Sequence, residues 1–399
     1  MKQFCGYFIW CCLAIQSIFL CPSAHAQIPI KPERVTVGAE QLARYELLIK
    51  EKRIGLVVNQ TSIAEGVPLP DFLLSRGFKV SAIFSPEHGF NSNREAGEQI
   101  SDDVYVTNGK NIPVFSLYGK TKKPQAEQLK NIDILLFDIQ DVGARFYTYL
   151  STLHYCMEAA AESHLPLVVL DRPNPNGHYV DGPVLEPNCH SFVGMHPIPV
   201  VHGCTLGELA LMINGERWLT QGLQCELHVV PCLTYDHHTL YELPVPPSPN
   251  LREMQAIYLY PSLCLFEGTA VSVGRGTEKP FTCYGFPGFR NPDFSFTPTS
   301  KAAVYPGIKC GGRDLNKLEM DEIRKKCFSL NFLFDAYQNR SDSMVFFNSF
   351  FEKLAGTKSL RKQILSGMDE KSIRRSWQKK INRYKTIRKK YLLYRDYNE

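Results

Sequence analysis

Two carboxylates, an amide, an arginine and two tyrosines fall within thirteen residues of this chain, in Phe137-Asp-Ile-Gln-Asp-Val-Gly-Ala-Arg-Phe-Tyr-Thr-Tyr149. An apolar run, Ile132 to Leu136, precedes them and reads as a buried strand. Polar groups at the end of such a strand are placed to face a ligand, because ligand crevices of open parallel α/β sheets lie outside the strands' carboxyl ends. Asp138, Gln140, Asp141, Arg145 and Tyr147 are therefore candidate ligand contacts.

Four other apolar runs end in the same way. Ile54 to Val58 leads into Asn59, Gln60 and Thr61, and Val80 to Phe84 leads into Ser85-Pro-Glu-His-Gly89. Val114 to Leu117 leads into Tyr118, and Leu167 to Leu170 leads into Asp171-Arg-Pro-Asn174. Segments of helical character lie at Pro70 to Arg76, Gln125 to Asn131 and Thr148 to Ser163. Short apolar strands alternating with helices predict an α/β fold with a Rossmann-like parallel sheet and right-handed crossovers. Five strand ends on one edge would build one site.

Glu87 and His88 are the candidate catalytic pair. A carboxyl group directly after a buried strand is partly desolvated, which suits a general acid, and the adjacent histidine is an alternative base. Helix capping or an ion pair is the structural reading of Glu87. Asp141 could orient Arg145, and such a pair is as readily structural as functional. Glu98, after Ala96-Gly97, and Glu267, before Gly268, are further loop carboxylates. Glycoside hydrolysis uses two carboxyl groups, or one with help from the substrate. Arg145, Arg172 and Arg275 could grip a substrate carboxylate. Tyr118, Tyr147, Tyr149 and Phe281 offer flat faces to sugar rings, and Asn59, Gln60 and Asn174 offer amides to sugar hydroxyls.

Other chemistries lack their signatures. The chain has no GxSxG elbow and no P-loop, and Gly274-Arg-Gly276 is followed by Lys279 where a dinucleotide fingerprint needs glycine. His88, Asp138 and Asp171 could converge on a metal, but no metal-ligand spacing supports it. The expectation is hydrolysis with no organic cofactor and no required metal, and no nucleic acid or stable protein partner.

The ends of the chain set further bounds. Lys2, the apolar stretch Phe4 to Leu20 and Ala24-His-Ala26 read as a secretory signal over residues 1–26, so the protein is expected to be exported, periplasmic or otherwise extracytoplasmic. Nine of the 13 cysteines follow it, an odd number with no CxxC pair, so they read as buried thiols with few disulfides. Cys225 and Cys232 flank an expected strand. Two domains are expected: residues 27–222, Rossmann-like and catalytic, and residues 223–399, a smaller α/β domain closing the cleft. Thr205 should cap a helix from Glu208 to Leu219. The proline-rich Pro244 to Asn250 reads as an extended connector. Lys371 to Glu399 holds eleven Lys/Arg against Asp396 and Glu399. Trp377, Ile381, Tyr384, Ile387 and Tyr391 recur at helical steps there, which predicts an amphipathic helix docked by its aromatic stripe, with the lysines in water.

Taken together, several motifs make the chain resemble the exo-β-N-acetylmuramidases of glycoside hydrolase family 171. They are Asn59-Gln-Thr-Ser62, Phe84-Ser-Pro-Glu-His-Gly-Phe90, Ala96-Gly-Glu98, Phe115-Ser-Leu-Tyr-Gly119, Phe137 to Tyr149, Leu170-Asp-Arg-Pro-Asn-Pro175, Pro247-Ser-Pro-Asn250 and Glu267 to Thr277. The resemblance covers nearly all of the chain after the leader. It implies removal of N-acetylmuramic acid from non-reducing ends of peptidoglycan fragments, a Rossmann-like domain with a smaller one beside it, and a catalytic Glu87. It leaves the second catalytic group open. Val273 departs from the resemblance, since the family pattern commonly has glutamate before Gly-Arg-Gly-Thr. Two alternatives remain: another exo-hexosaminidase, with the arginines structural, and a non-catalytic muropeptide- or glycan-binding protein.

Overall fold

The computed structural model describes residue 1 and residues 34–90, 102–107 and 109–397. The leader and Glu98 lie outside these residues. Val35–Glu399 forms one compact unit. Seven strands make its main sheet: β1 (Arg53–Val58), β2 (Lys79–Ser85), β3 (Asp103–Thr107), β4 (Lys110–Ser116), β5 (Ile134–Asp138), β6 (Leu167–Leu170) and β7 (Leu227–Val230). Their spatial order is β3-β4-β2-β1-β5-β6-β7. All pairings are parallel except that of β3 with β4 at one edge. The chain beyond residue 222 thus still feeds the sheet, through β7.

The hydrophobic pattern of the strands explains the two layers. Along β5, Ile134 and Leu136 face one core and Leu135 and Phe137 the other, as the two-residue period of a strand requires. One core is covered by α1 (Leu42–Ile49) and α2 (Leu69–Ser75), through Tyr45, Ile49, Phe72 and Leu73. The other is covered by α3 (Tyr149–Glu162) and α4 (Leu206–Gly215) and runs on into the second half of the chain. Thr205 caps α4: its hydroxyl accepts from the Glu208 N–H while the Glu208 carboxylate accepts from the Thr205 N–H. The second half contains α5 (Met254–Leu263) and an antiparallel sheet of β8 (Cys283–Phe286), β9 (Phe294–Phe296) and β10 (Cys310–Asp314), with β10 in the middle.

The last long helix, α6 (Glu370–Arg388), buries Ile373, Trp377, Ile381, Tyr384 and Arg388. Its aromatic stripe is spent on its own fold: the Tyr384 hydroxyl donates to the His202 carbonyl at 2.7 Å, and Arg388 donates to the Gly203 carbonyl. The tail beyond is pinned as well. The Tyr394 hydroxyl donates to Asp171 at 2.6 Å and accepts from the Cys232 N–H at 2.9 Å. The nine cysteines of the described residues are all free thiols, eight of them buried, so Cys225 and Cys232 make no disulfide. No helix among the described residues is long and apolar enough to cross a membrane.

The sheet's chain order reverses between β1 and β5, the place where open α/β sheets leave a crevice. Here the chain's own polar groups fill it. Asp138, wholly buried, takes two hydrogen bonds from Arg172, at 2.5 and 2.9 Å, and Arg172 also donates to the Ile63 carbonyl. The Thr61 hydroxyl donates to Asn59 Oδ1 and accepts from the Gln140 N–H, and the Ser62 hydroxyl donates to the Asp138 carbonyl. Asp141 accepts from the Gly143 N–H at 2.7 Å, and burial pushes its pKa up to about 7. His202, 3.8 Å away, is itself pushed down to about 3 by burial and by Arg388 and Arg145, so it brings no positive charge to Asp141.

Asp141 therefore makes stability depend on pH in a stated direction. Its native carboxyl holds a proton at pH values where the unfolded chain has released it, so its contribution falls as pH rises from about 4 to about 7. Asp141→Asn keeps an acceptor for Gly143 and removes the titration. Its midpoint of chemical unfolding, relative to wild type, should climb across that window and level off above it. A difference that stays flat with pH, or runs the other way, would contradict the buried protonated carboxyl.

Candidate active site

A cavity of about 770 Å³ opens beyond the carboxyl ends of the strands, between the main sheet and the second half of the chain. Three of the five anticipated strand-end loops reach it. The loop after β2 supplies Glu87 and His88, the loop after β4 supplies Tyr118, and the loop after β5 supplies Phe146 to Tyr149. The second half of the chain contributes Ser248 to Arg252, Tyr260, Cys264, Glu267, Val271 to Val273, Arg275 to Glu278, Phe281, Phe350 and Leu354.

Glu87 sits in a tight turn. The Gly89 N–H donates to the Pro86 carbonyl at 3.1 Å, and both His88 (φ 72°) and Gly89 (φ 77°) are left-handed. A non-glycine residue held there costs on the order of 1 kcal/mol, strain that concentrates at functional sites. The turn leaves Glu87 largely buried, at 9% exposure, with its carboxyl group toward the cavity. The Thr148 hydroxyl, at the start of α3, donates to Glu87 Oε2 at 2.6 Å. Tyr118 is near enough for the Glu87 charge to act on it, and burial together with that charge raises the pKa of its hydroxyl, so it remains a phenol.

Glu267 presents a contrasting environment. It lies in the short 3₁₀ turn Cys264–Gly268, and Arg275 places Nε at 2.7 Å and Nη2 at 2.5 Å from its Oε1. Both side chains are about a quarter exposed. Glu267 and Arg275 are near enough to Tyr118 to act on its charge, as Glu87 is, so the phenol is a neighbour of both carboxyl groups. An aromatic wall closes one side: Tyr147 packs edge-on against Tyr149 and Tyr260, Tyr260 against Phe281, and the Arg275 guanidinium lies over Phe281 at 5.1 Å.

Of the residues expected from sequence, Glu87, His88, Tyr118, Tyr147, Glu267 and Arg275 line this cavity. Asn59, Asp138, Gln140, Asp141, Arg145, Arg172 and Asn174 do not, and each has internal partners. Asn59, Asp138, Asp141 and Arg172 belong to the switch-point network. Gln140 donates to the Asp141 and Pro173 carbonyls, and Asn174 donates to the Cys204 carbonyl and accepts from the Asn176 N–H. Arg145 donates to three carbonyls, those of Pro183, Ile198 and Leu354. Gln60 is off the wall too, donating to the Pro246 carbonyl. The expectation that three arginines meet at one cleft is therefore corrected: Arg145 and Arg172 are sealed at 1% and 6% exposure by their own hydrogen bonds, and only Arg275 faces the cavity.

Sequence reasoning passed over Thr148, Phe192, Ser248, Asn250 and Arg252. Thr148 lay inside the Phe137–Tyr149 stretch and Ser248 and Asn250 inside the Pro247–Asn250 motif, so position alone could have flagged them. Phe192, seated 6.1 Å from Tyr118, carried no such signal. Among the described residues no cluster of three or more His, Cys, Asp or Glu is arranged to hold a metal ion. His88, Asp138 and Asp171 do not converge. Asp138 is bound to Arg172, and Asp171 to Thr205, Gly207 and Tyr394.

Comparison with known proteins bears on this geometry. Residues 54–255 match the family described as exo-β-N-acetylmuramidase NamZ, N-terminal, and residues 258–394 its C-terminal counterpart. The chain is 37% identical to the peptidoglycan β-N-acetylmuramidase NamZ of Bacillus subtilis (strain 168) over 404 residues, 94% of each protein. It is also similar to two crystal structures of DUF1343 family proteins from Bacteroides fragilis NCTC 9343. One is 47% identical with a TM-score of 0.84, covering 91% of this chain and all of that one. The other is 29% identical with a TM-score of 0.72, covering 91% and 99%. With both family regions matched in order and the curated relative aligned almost end to end, the chain belongs to the NamZ exo-β-N-acetylmuramidase family.

Proposed function

We propose that this protein is an exo-acting glycosidase that releases N-acetylmuramic acid from the non-reducing ends of peptidoglycan fragments. The observation that carries the reading is Glu87, a largely buried carboxyl group that accepts from the Thr148 hydroxyl, in a cavity that also holds the Glu267–Arg275 pair. Glu87 protonates the departing glycosidic oxygen, and its conjugate base then activates water. Thr148 orients the carboxyl group, which general acid catalysis needs. The aromatic wall offers apolar faces to the sugar ring. Arg275 recognises the lactyl carboxylate. Its guanidinium has five N–H bonds, and those on Nε and Nη2 that point to Glu267 leave others for the substrate. Residues 1–26 serve as the export signal, so the enzyme works outside the cytoplasm, in the periplasm or an equivalent compartment, where wall fragments arise. N-terminal sequencing of protein recovered from the periplasmic fraction tests this, with Gln27 as the expected first residue.

Glu87→Gln should keep the fold and the affinity for substrate while turnover falls at least about a hundredfold, the scale of acid–base effects. Near-normal turnover in a folded variant would remove Glu87 from the role.

Arg275→Ala should narrow the preference for aryl N-acetylmuramides over aryl N-acetylglucosaminides. Both sugars carry the acetamide, so any disturbance of Glu267 cancels in that ratio. An unchanged ratio would place lactyl recognition elsewhere.

Exhaustive chelation should leave the rate unchanged. A loss restored by a divalent cation would contradict a metal-free hydrolysis.

A further inference from the structure

We propose that Glu267 is the second acting carboxylate, and that it holds the 2-acetamido group of the bound sugar so that the substrate's own amide oxygen attacks the anomeric carbon. This deepens the hydrolysis proposed above and rests on it.

The carboxyl inventory of the cavity is short. Among the described residues, Glu87, Glu267 and Glu278 are the acids on its wall. The Glu278 side chain is 97% exposed and only loosely paired with Arg252, at 3.8 Å, so water competes for it at the mouth. Among the described residues Glu87 and Glu267 remain, in different settings. Glu87 accepts from the Thr148 hydroxyl and can carry a proton to a leaving group. Glu267 receives a guanidinium, whose charge draws electron density toward Oε1. A carboxylate so engaged is a weak nucleophile and a well-oriented acceptor. Its other oxygen, Oε2, meets only the Cys264 thiol, at 3.9 Å, among the described residues.

The turn that carries Glu267 is fixed. A Cβ on Gly268 would lie 2.4 Å from Phe351 Cα, and the Asn348 N–H donates to the Gly268 carbonyl at 3.0 Å. An immobile acceptor suits one donor in one place. The 2-acetamido N–H, on the carbon beside the anomeric centre, is that kind of donor. The acetyl methyl needs apolar company, which Val271, Val273 and Phe281 offer on the same wall, each at most 3% exposed. Val273, the departure from the family pattern, is here an apolar wall residue.

The step balances. The amide oxygen forms a bond to C1 as the C1–O bond to the leaving group breaks, and the leaving oxygen takes the Glu87 proton. Glu267 accepts the amide proton as the oxazoline ring closes. Water then adds to C1 and gives a proton to Glu87, the C1–O bond to the amide breaks, and Glu267 returns the proton to nitrogen. Two displacements at C1 retain the anomeric configuration.

The test uses the full-length protein and aryl β-N-acylmuramides whose acetyl group carries zero to three fluorines. Fluorine weakens the amide oxygen as a nucleophile without altering Glu87. Wild-type kcat/KM should fall progressively, by about a hundredfold or more at three fluorines, and the first-formed sugar seen by NMR should be the β anomer. Glu267→Gln should lose about a hundredfold in kcat on the unsubstituted acetamide, with KM little changed. A rate indifferent to fluorination, an inverted product, or azide rescue of Glu267→Ala to a glycosyl azide would overturn the role, the first two without any variant that has to fold. Wild-type protein inactive on the unsubstituted muramide would instead sink the hydrolysis itself, so the two failures are distinguishable.

Discussion

A guanidinium buried without a carboxylate holds the two walls of the cavity together. Arg145 is 1% exposed, and burial pulls its pKa down to about 9, which leaves it charged at neutral pH. Taking such a cation out of water costs several kcal/mol unless its donors are met. Its terminal nitrogens meet carbonyls from three separate segments, those of Pro183 and Ile198 on Nη1, at 2.7 and 3.0 Å, and that of Leu354 on Nη2, at 2.7 Å, while the buried Nε finds no partner among the described residues. Gly356 has to be glycine beside it: its φ is 73°, and a Cβ there would lie 2.5 Å from Arg145 Nη2. Arg145 sits just before Phe146 to Tyr149, and its third carbonyl belongs to Leu354 on the opposite wall. One side chain therefore sets the spacing between the loop that positions Thr148 and the segment facing it.

The same economy governs the crevice at the sheet's switch point. A parallel sheet of this order invites a nucleotide, yet fold does not imply function. Asp138, Arg172, Thr61 and Gln140 satisfy one another there, and the working cavity is displaced toward the loops after β2, β4 and β5. The catalytic proposal draws on two carboxyl groups with different neighbours, the Thr148 hydroxyl on Glu87 and the Arg275 guanidinium on Glu267. Differing environments are how one site assigns acid and anion roles to like residues.

Much of this was legible in the residues. The alternation of apolar runs and helical segments foretold the parallel sheet, and Ser85-Pro-Glu-His-Gly89 marked the turn that carries Glu87. The Thr205 cap and the α6 stripe were readable because each depends on local spacing. What could not be read was which polar strand ends meet a ligand and which meet each other. Asp138, Arg172, Glu87 and Tyr118 are all polar residues at or just beyond the end of a strand of the same sheet. The difference lies in partners 34 residues apart, Asp138 with Arg172, against partners 61 apart, Glu87 with Thr148. Arg145 misled for a related reason: its acceptors are backbone carbonyls, which leave no trace in residue types. Strand β7 lies beyond the expected boundary at residue 222, because four residues, Leu227 to Val230, are too few to announce a sheet edge.

The central claim is that a muramic acid residue binds with its anomeric carbon between Glu87 and Glu267. A crystal structure of Glu87→Gln with an intact disaccharide carrying non-reducing N-acetylmuramic acid tests it most directly. The account predicts the substituted side-chain amide at position 87 within hydrogen-bonding distance of the glycosidic oxygen, the acetamide N–H on Glu267 Oε2, and the lactyl carboxylate on Arg275. A sugar seated at the Asp138–Arg172 network, or lying in the cavity with its acetamide turned away from Glu267, would contradict it.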